Sequence, residues 1–222
     1  LGERWSYKIS PGIGAVYGHE ADKNVNDEAI PEDAVSLAFS HGIGTGRTDW
    51  YRNFREGWSI GFSNSISFAV DKGELSSDVS ATGEYFTIFG FLNPGVRLKL
   101  EHYFRGDELS KGGDIRGVSN NRIFGRSFLK TNANLAIRVA DIRKFAEINL
   151  VPFIDAAIAE QEGERIGRDS LFVGTGMDLI LFPHFLRGFQ GRISAGIDLR
   201  DPPRSFSDFG SYEISIVETL AF

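Results

Sequence analysis

The segment from Trp58 to Val70 alternates between two kinds of side chain over its whole length. Every even position except Asn64 carries a large apolar residue, and every odd position carries Ser, Gly or Ala. Successive side chains of a β-strand point to opposite faces of its sheet, so this period of two predicts a strand with one apolar face. At about 3.3 Å per residue the strand would extend about 40 Å, well beyond the usual five or six residues.

The same alternation recurs along the chain. It is clear at 96–105, 128–139, 147–158, 186–199 and 212–222, and weaker at 4–17, 34–43, 79–92 and 171–182. Turn-rich segments separate these runs at 18–33, 44–56, 71–78, 106–127, 159–169 and 200–210, and 141–146 is expected to form a short turn. Nineteen phenylalanines and 26 glycines with a single methionine also suit strands and turns better than packed helices. We therefore predict an all-β antiparallel meander of about ten strands, in one domain over residues 1–222.

Two architectures would use such strands. A soluble β-sandwich buries the apolar face of each sheet against the other sheet, whereas a transmembrane β-barrel turns the apolar face to lipid and the polar face to a hydrated lumen. Three features favour the barrel: runs of ten or more residues, a charged or small opposite face, and the aromatic Phe222 at the end of the last run. Backbone groups cannot stay unpaired in lipid, so the sheet is expected to close.

Composition excludes several classes of function. The 24 basic and 30 acidic residues give a net charge of −6, which provides no basic surface for nucleic acid. There is no cysteine for a disulfide or a thiolate metal site, and no apolar run of the roughly 18 residues that a spanning helix needs. The histidines lack ligand spacing and no Gly-x-Ser-x-Gly motif occurs, so we predict a non-enzymatic protein with no catalytic residues, no metal and no cofactor.

Four short motifs stand in a characteristic order. Residues 112–118 read Gly-Gly-Asp-Ile-Arg-Gly-Val, which resembles the Gly-Gly-x-x-x-Arg-Gly-(Phe/Tyr) motif of the bacterial surface antigen superfamily, the BamA/TamA-type outer-membrane assembly and translocation barrels. Segments 47–58, 150–157 and 174–179 resemble the strand motifs that accompany it in that family. Val118, Ala157 and Phe54 depart from the residues usual in the family.

The resemblance implies a specific site. In the family the loop bearing Arg-Gly folds back into the lumen, so the segment around 106–127 would do so here, with Gly112, Gly113 and Gly117 allowing tight turns. Arg116 would then pair with Asp155 and with Asp178 on the inner wall. The plainer alternative is an exposed glycine-rich loop with a solvated arginine. The last strand would carry the signal read during barrel assembly, through Tyr212, Ile214, Ile216, Leu220 and Phe222.

The resemblance also implies a location and partners. Family barrels have about sixteen strands, so this chain would be the C-terminal portion of a longer protein of the bacterial outer membrane. Its partners would be outer-membrane lipid, client outer-membrane or exported proteins, and periplasmic or lipoprotein partners bound through N-terminal domains. Three functions stay open: assembly or translocation of other proteins, a passive pore or export domain for a fused passenger such as a patatin-like lipase, and a soluble β-sandwich binding module.

Overall fold

A computed structural model describes residues 4–16, 34–70, 73–105, 109–110, 115–118, 123–142, 145–160, 166–167, 170–185, 189–202 and 212–220. Twelve strands are found in these ranges. They are β1 (Trp5–Val16), β2 (Ala34–Tyr51), β3 (Phe54–Ala69), β4 (Glu74–Phe86), β5 (Leu92–Arg105), β6 (Leu109–Ser110), β7 (Phe124–Gly125), β8 (Ser127–Ile142), β9 (Ala146–Glu160), β10 (Leu171–Pro183), β11 (Phe189–Asp198) and β12 (Tyr212–Leu220).

Ten of these strands form one antiparallel sheet. Their order is β1-β2-β3-β4-β5-β8-β9-β10-β11-β12, so each strand pairs with its neighbours along the chain, and only the small β6-β7 pair is inserted between β5 and β8. The prediction of an all-β antiparallel meander is therefore confirmed. Within the described ranges β1 and β12 are not paired with one another, and closure into a barrel remains a prediction. The described ranges contain no helix that could span a membrane.

Several strand boundaries differ from those expected. Residues 44–51, predicted as part of a loop, continue β2, and the turn to β3 is only Arg52 and Asn53, with Arg52 in the left-handed region at φ 58°. Gly44 and Gly46 dilute the alternation there, but each pairs with a residue of β3 in register, opposite Gly61 and Ser59. The expected strand at 79–92 is instead two strands, because the chain turns between Phe86 and Leu92.

The two faces of the sheet have reversed exposure compared with a water-soluble protein. On β9 the polar residues Glu147, Asn149 and Asp155 are buried, whereas Ile154 on the opposite face is 51% exposed. Phe62 on β3 is likewise 48% exposed. Paired residues share a face, and the register carries this apolar face from strand to strand through Ile43, Phe62, Ala81, Leu100, Leu129, Ile158 and Leu171. A sandwich would bury this face against a second sheet.

The sheet is curved around its polar face. Just beyond the end of β4, Asn93 on β5 bonds the backbone of Arg55 on β3, accepting from its N–H at 3.0 Å and donating to its carbonyl at 2.7 Å. The guanidinium of Arg138 on β8 lies 4.4 Å from the ring centroid of Phe54 on β3. Three strand spacings separate β3 from β8, which is about 14 Å in a flat sheet. These contacts therefore need the sheet to bend inward.

Candidate site on the polar face

Residues 115–118 are anchored on the polar face of the sheet by apolar packing. Ile115 and Val118 are both fully buried, in one cluster with Ile123, Phe128, Ala157, Ala159 and Phe172. These partners lie on β8, β9 and β10 and in the segment just before β7. A small hydrophobic core thus forms on an otherwise polar face, and it holds the segment between two anchors. Arg116 lies between Ile115 and Val118, so their packing fixes the position of its backbone on the sheet.

Glycines on β10 and β11 let this segment approach closely. A Cβ at Gly174 would lie 1.9 Å from the carbonyl oxygen of Arg116, and a Cβ at Gly196 would lie 2.9 Å from Gly117 Cα. Gly117 itself has φ +84°, a conformation that side-chain-bearing residues rarely adopt. The backbone of the segment rests directly on the strands because these positions have no side chains.

The guanidinium of Arg116 makes a planar fork with Asp155. Its Nε donates to Oδ2 at 2.8 Å, one terminal nitrogen donates to Oδ1 at 2.7 Å, and the backbone N–H of Arg116 adds a bond to Oδ2 at 3.1 Å. Asp155 has no exposed surface. The guanidinium also stacks on Phe153, 3.8 Å from its ring centroid. Two parallel charge-assisted bonds give direction as well as energy, so the fork fixes the orientation of the side chain.

The remaining donors of Arg116 bind two further strands. One terminal nitrogen donates to Asp178 Oδ2 at 2.8 Å, and the other donates to Asn134 Oδ1 at 2.6 Å. Asp178 also accepts a bond from Ser194 Oγ at 2.6 Å and forms an ion pair with Arg192. One loop arginine thereby ties together β8, β9 and β10, and through Asp178 it is linked to β11.

The carboxylates of Asp155 and Asp178 stabilise the positive charge of Arg116. Burial alone would lower the pKa of Arg116, but its hydrogen bonds to Asp155 and the charges of Asp155 and Asp178 outweigh burial and raise that pKa above its usual value. The guanidinium is therefore charged at every pH at which the protein would be studied. Its side chain is 17% exposed, so the alternative of a solvated arginine on an exposed loop does not describe it.

The structure brings together three of the residues singled out in the sequence and leaves others apart. Arg116, Asp155 and Asp178 are in direct contact, and Gly117 forms part of the same turn. Gly112, Gly113 and Phe222 lie outside the described residues. The other residues of the proposed terminal signal, Tyr212, Ile214, Ile216 and Leu220, lie on β12 and pair with β11.

Asn134, Arg192 and Ser194 were not expected to contribute. Each is a polar residue on the same face as Asp155 or Asp178 in a neighbouring strand, since Asn134 pairs with Phe153 and Ser194 with Asp178. Their positions in the alternation of adjacent strands, which place them on the same face as the two aspartates, could have identified them.

A second ionic group lies farther along the polar face. Glu101 on β5 accepts a bond from Lys130 Nζ at 2.6 Å and forms an ion pair with Lys99 Nζ at 2.8 Å. Lys130 is only 1% exposed. Within the described part of the chain, no three His, Asp or Glu side chains are grouped so that they could hold a metal ion. Glu101 and Lys130 thus form an ion pair that joins β5 to β8.

No protein-family model matches this sequence, and no curated protein matches it.

Proposed function

We propose that this chain forms part of an outer-membrane β-barrel of the assembly and translocation class, which helps to insert or export other proteins without covalent chemistry. The observation that carries this proposal is the docking of Arg116 on the polar wall of a sheet whose apolar face is exposed. The resemblance of residues 112–118 to the bacterial surface antigen motif supports the same function.

The exposure of the apolar face supports a lipid environment. Long strands with apolar side chains outward match the hydrocarbon layer, which tilted strands of about 9–11 residues can cross. Exposed aromatic residues near strand ends, such as Trp58 and Tyr85, are of the kind that form girdles at membrane interfaces. Large continuous apolar surfaces are rare on soluble monomers. The proposal is therefore that this apolar face contacts outer-membrane lipid.

The edge of the sheet suggests how a client would bind. In the part of the chain that the structure describes, β12 pairs with β11 on one side only. An unpaired strand edge offers a row of backbone donors and acceptors to an incoming strand. In the proposed mechanism a client strand adds to this edge, while the Arg116 cluster keeps β8 to β11 in a fixed arrangement beside it.

Replacement of Arg116 by alanine in the full-length protein tests this function. The readout is the amount of folded, heat-modifiable outer-membrane β-barrel protein in the native host, normalised to the amount of the variant in the membrane. We expect a several-fold reduction. Arg47→Ala is the matched control, because Arg47 pairs with Asp49 in an exposed position away from the cluster. Unchanged client levels at equal abundance of the variant would contradict the proposal.

A passive pore is the second candidate, because the polar face of β2 to β4 is lined by small side chains. These residues are Gly42, Gly44, Ser59, Gly61, Ser63, Ser80 and Thr82. Four of them, Gly44, Ser59, Gly61 and Thr82, line a cavity of about 550 Å³. Small hydroxyl-bearing residues on an inward face would leave room for water.

Conductance in a planar lipid bilayer tests the pore. A steady unitary conductance that falls in Ser63→Arg would favour it, because a large cation would narrow the lumen. Phe62→Leu, on the opposite face of the same strand, is the control and should conduct like the wild type. Absence of any conductance by the inserted protein would exclude a passive pore.

A further inference from the structure

A cavity of about 360 Å³ on the polar face is lined mainly by side chains that carry nitrogen donors, beside the apolar Phe86 and Val96. Its polar lining consists of Arg55, Arg97, Arg116, Arg192, Asn132 and Asn134. No carboxylate is among the described lining residues. These residues come from strands as distant as β3 and β11, and the curvature of the sheet directs them toward one space.

The acidic partners of these arginines lie outside the cavity lining and are fewer than the arginines. Glu84 pairs with Arg97, Asp155 pairs with Arg116, and Asp178 pairs with both Arg116 and Arg192. Four guanidiniums thus face the cavity against three carboxylates. The difference leaves a net positive charge at this position.

Among the described residues, Arg55 is the lining guanidinium that forms no ion pair, although the charge of Glu84 acts on it from farther away. In the described ranges no carboxylate lies within ion-pair distance of it, and its side chain is instead held over aromatic rings, 3.8 Å from the centroid of Phe86 and 5.5 Å from that of Trp50. Stacking positions a guanidinium while leaving its in-plane N–H groups available for hydrogen bonds. Arg55 is therefore oriented by its aromatic neighbours, and within the described ranges its guanidinium is not engaged by a carboxylate.

A second lining arginine carries an orphaned donor. Nε of Arg192 is buried and has no hydrogen-bond partner among the described residues. A buried donor without a partner is unfavourable. A small shift of the Arg192 side chain would let an acceptor in the cavity satisfy this donor.

We propose that this cavity binds the phosphate group of a small solute. A carboxylate presents two oxygens in one plane, and Asp155 uses both of them for the fork with Arg116. A phosphate is tetrahedral, so its oxygens accept bonds from guanidiniums that approach from different strands. The volume lies within the range typical of small-molecule sites. This site is separate from the client-binding edge, and its occupancy does not depend on the proposed function.

Titration calorimetry with inorganic phosphate tests the site. The purified chain is used in detergent micelles and in a phosphate-free zwitterionic buffer, with Arg55→Gln as the variant. We expect saturable binding by the wild type and at least a tenfold weaker affinity in Arg55→Gln. Arg52→Gln is the matched control, because Arg52 is exposed and pairs with Asp141 outside the cavity. It should bind within twofold of the wild type.

Further arms identify the ligand and guard against misfolding. Glycerol phosphate should bind as inorganic phosphate does, and acetate should bind at least tenfold more weakly. Arg97→Gln, at a more exposed lining residue, should also weaken phosphate binding, so the test survives a failure of Arg55→Gln to fold. Absence of saturable phosphate binding, equal losses in Arg55→Gln and Arg52→Gln, or acetate binding as tight as phosphate binding would each overturn the proposal. Because no client protein takes part, these outcomes are independent of the client-assembly test.

Discussion

The carbonyl oxygen of Arg116 occupies the space in which a side chain at Gly174 would stand. A Cβ there would lie 1.9 Å from that oxygen. The ionic fork between Arg116 and Asp155 thus depends on the absence of a side chain at Gly174 of β10. The arginine reaches its carboxylates because the backbone that carries it can rest on the strand.

Gly174→Ala is expected to displace the segment and destabilise the protein. A methyl group at this position meets backbone atoms, which cannot move aside as a flexible side chain would, and overpacking of this kind is unfavourable by about 1–3 kcal/mol. Urea unfolding in lipid vesicles, followed by tryptophan fluorescence, measures the change. Gly61→Ala is the control, because a Cβ at Gly61 would meet nothing within 4 Å. Equal stability of the two variants would contradict the close approach described here.

Arg116→Ala is expected to destabilise the folded chain by about 3–5 kcal/mol, since it leaves the buried carboxylates of Asp155 and Asp178 uncompensated. Arg116→Lys should recover only part of this loss, because an ammonium keeps the charge but cannot form the planar fork. The same urea titration measures both variants. A loss in Arg116→Ala no greater than that in the exposed control Arg47→Ala would show that the cluster contributes little.

Asn93→Ala is expected to loosen the bend of the sheet. Asn93 bonds both backbone groups of Arg55 and donates to the carbonyl of Thr87 at 2.6 Å. Each such bond contributes about 1 kcal/mol, so the loss should reach about 2–3 kcal/mol. Asn93→Asp should be worse, because a carboxylate oxygen would then face two carbonyl oxygens. Thermal unfolding of the two variants in detergent checks this order, and the reverse order would contradict it.

Neighbouring positions on β3 should report opposite environments. The chain has no cysteine, so spin labels can be attached at Phe62→Cys and Ser63→Cys without removing other thiols. In lipid vesicles, we expect the label at 62 to be relaxed mainly by oxygen, which dissolves in lipid, and the label at 63 mainly by a water-soluble nickel chelate. Equal accessibility of both labels to the chelate would contradict a lipid-facing apolar surface.

The strands could be predicted from the sequence because their pattern is local. The alternation at 58–70 can be recognised without knowing the rest of the fold. In a meander each strand pairs with the next one along the chain, so the strand pairs follow from the strand order. The end of β2 was missed because Gly44 and Gly46 have no side chain that reveals a face, although their backbone groups pair normally with β3.

The site was only partly predictable because it depends on three-dimensional placement. Arg116, Asp155 and Asp178 were identified through a family resemblance, since 39 and 62 positions separate the arginine from its two partners. The spaces over Gly174 and Gly196 and the stacking of Arg55 on Phe86 and Trp50 could not be deduced from the spacing of residues in the sequence. They arise from the depth at which residues 115–118 rest on the sheet and from the bend that brings β3 toward β11.

If this chain is the outer-membrane protein proposed above, the outward position of residues such as Ile60, Phe62 and Phe68 has a consequence for the chain before it is folded and embedded. Until lipid covers that surface, the apolar band is exposed to water and promotes aggregation with other copies of the chain. Newly made chains would therefore need a chaperone that covers the apolar band on the way to the membrane and releases the chain only at the bilayer.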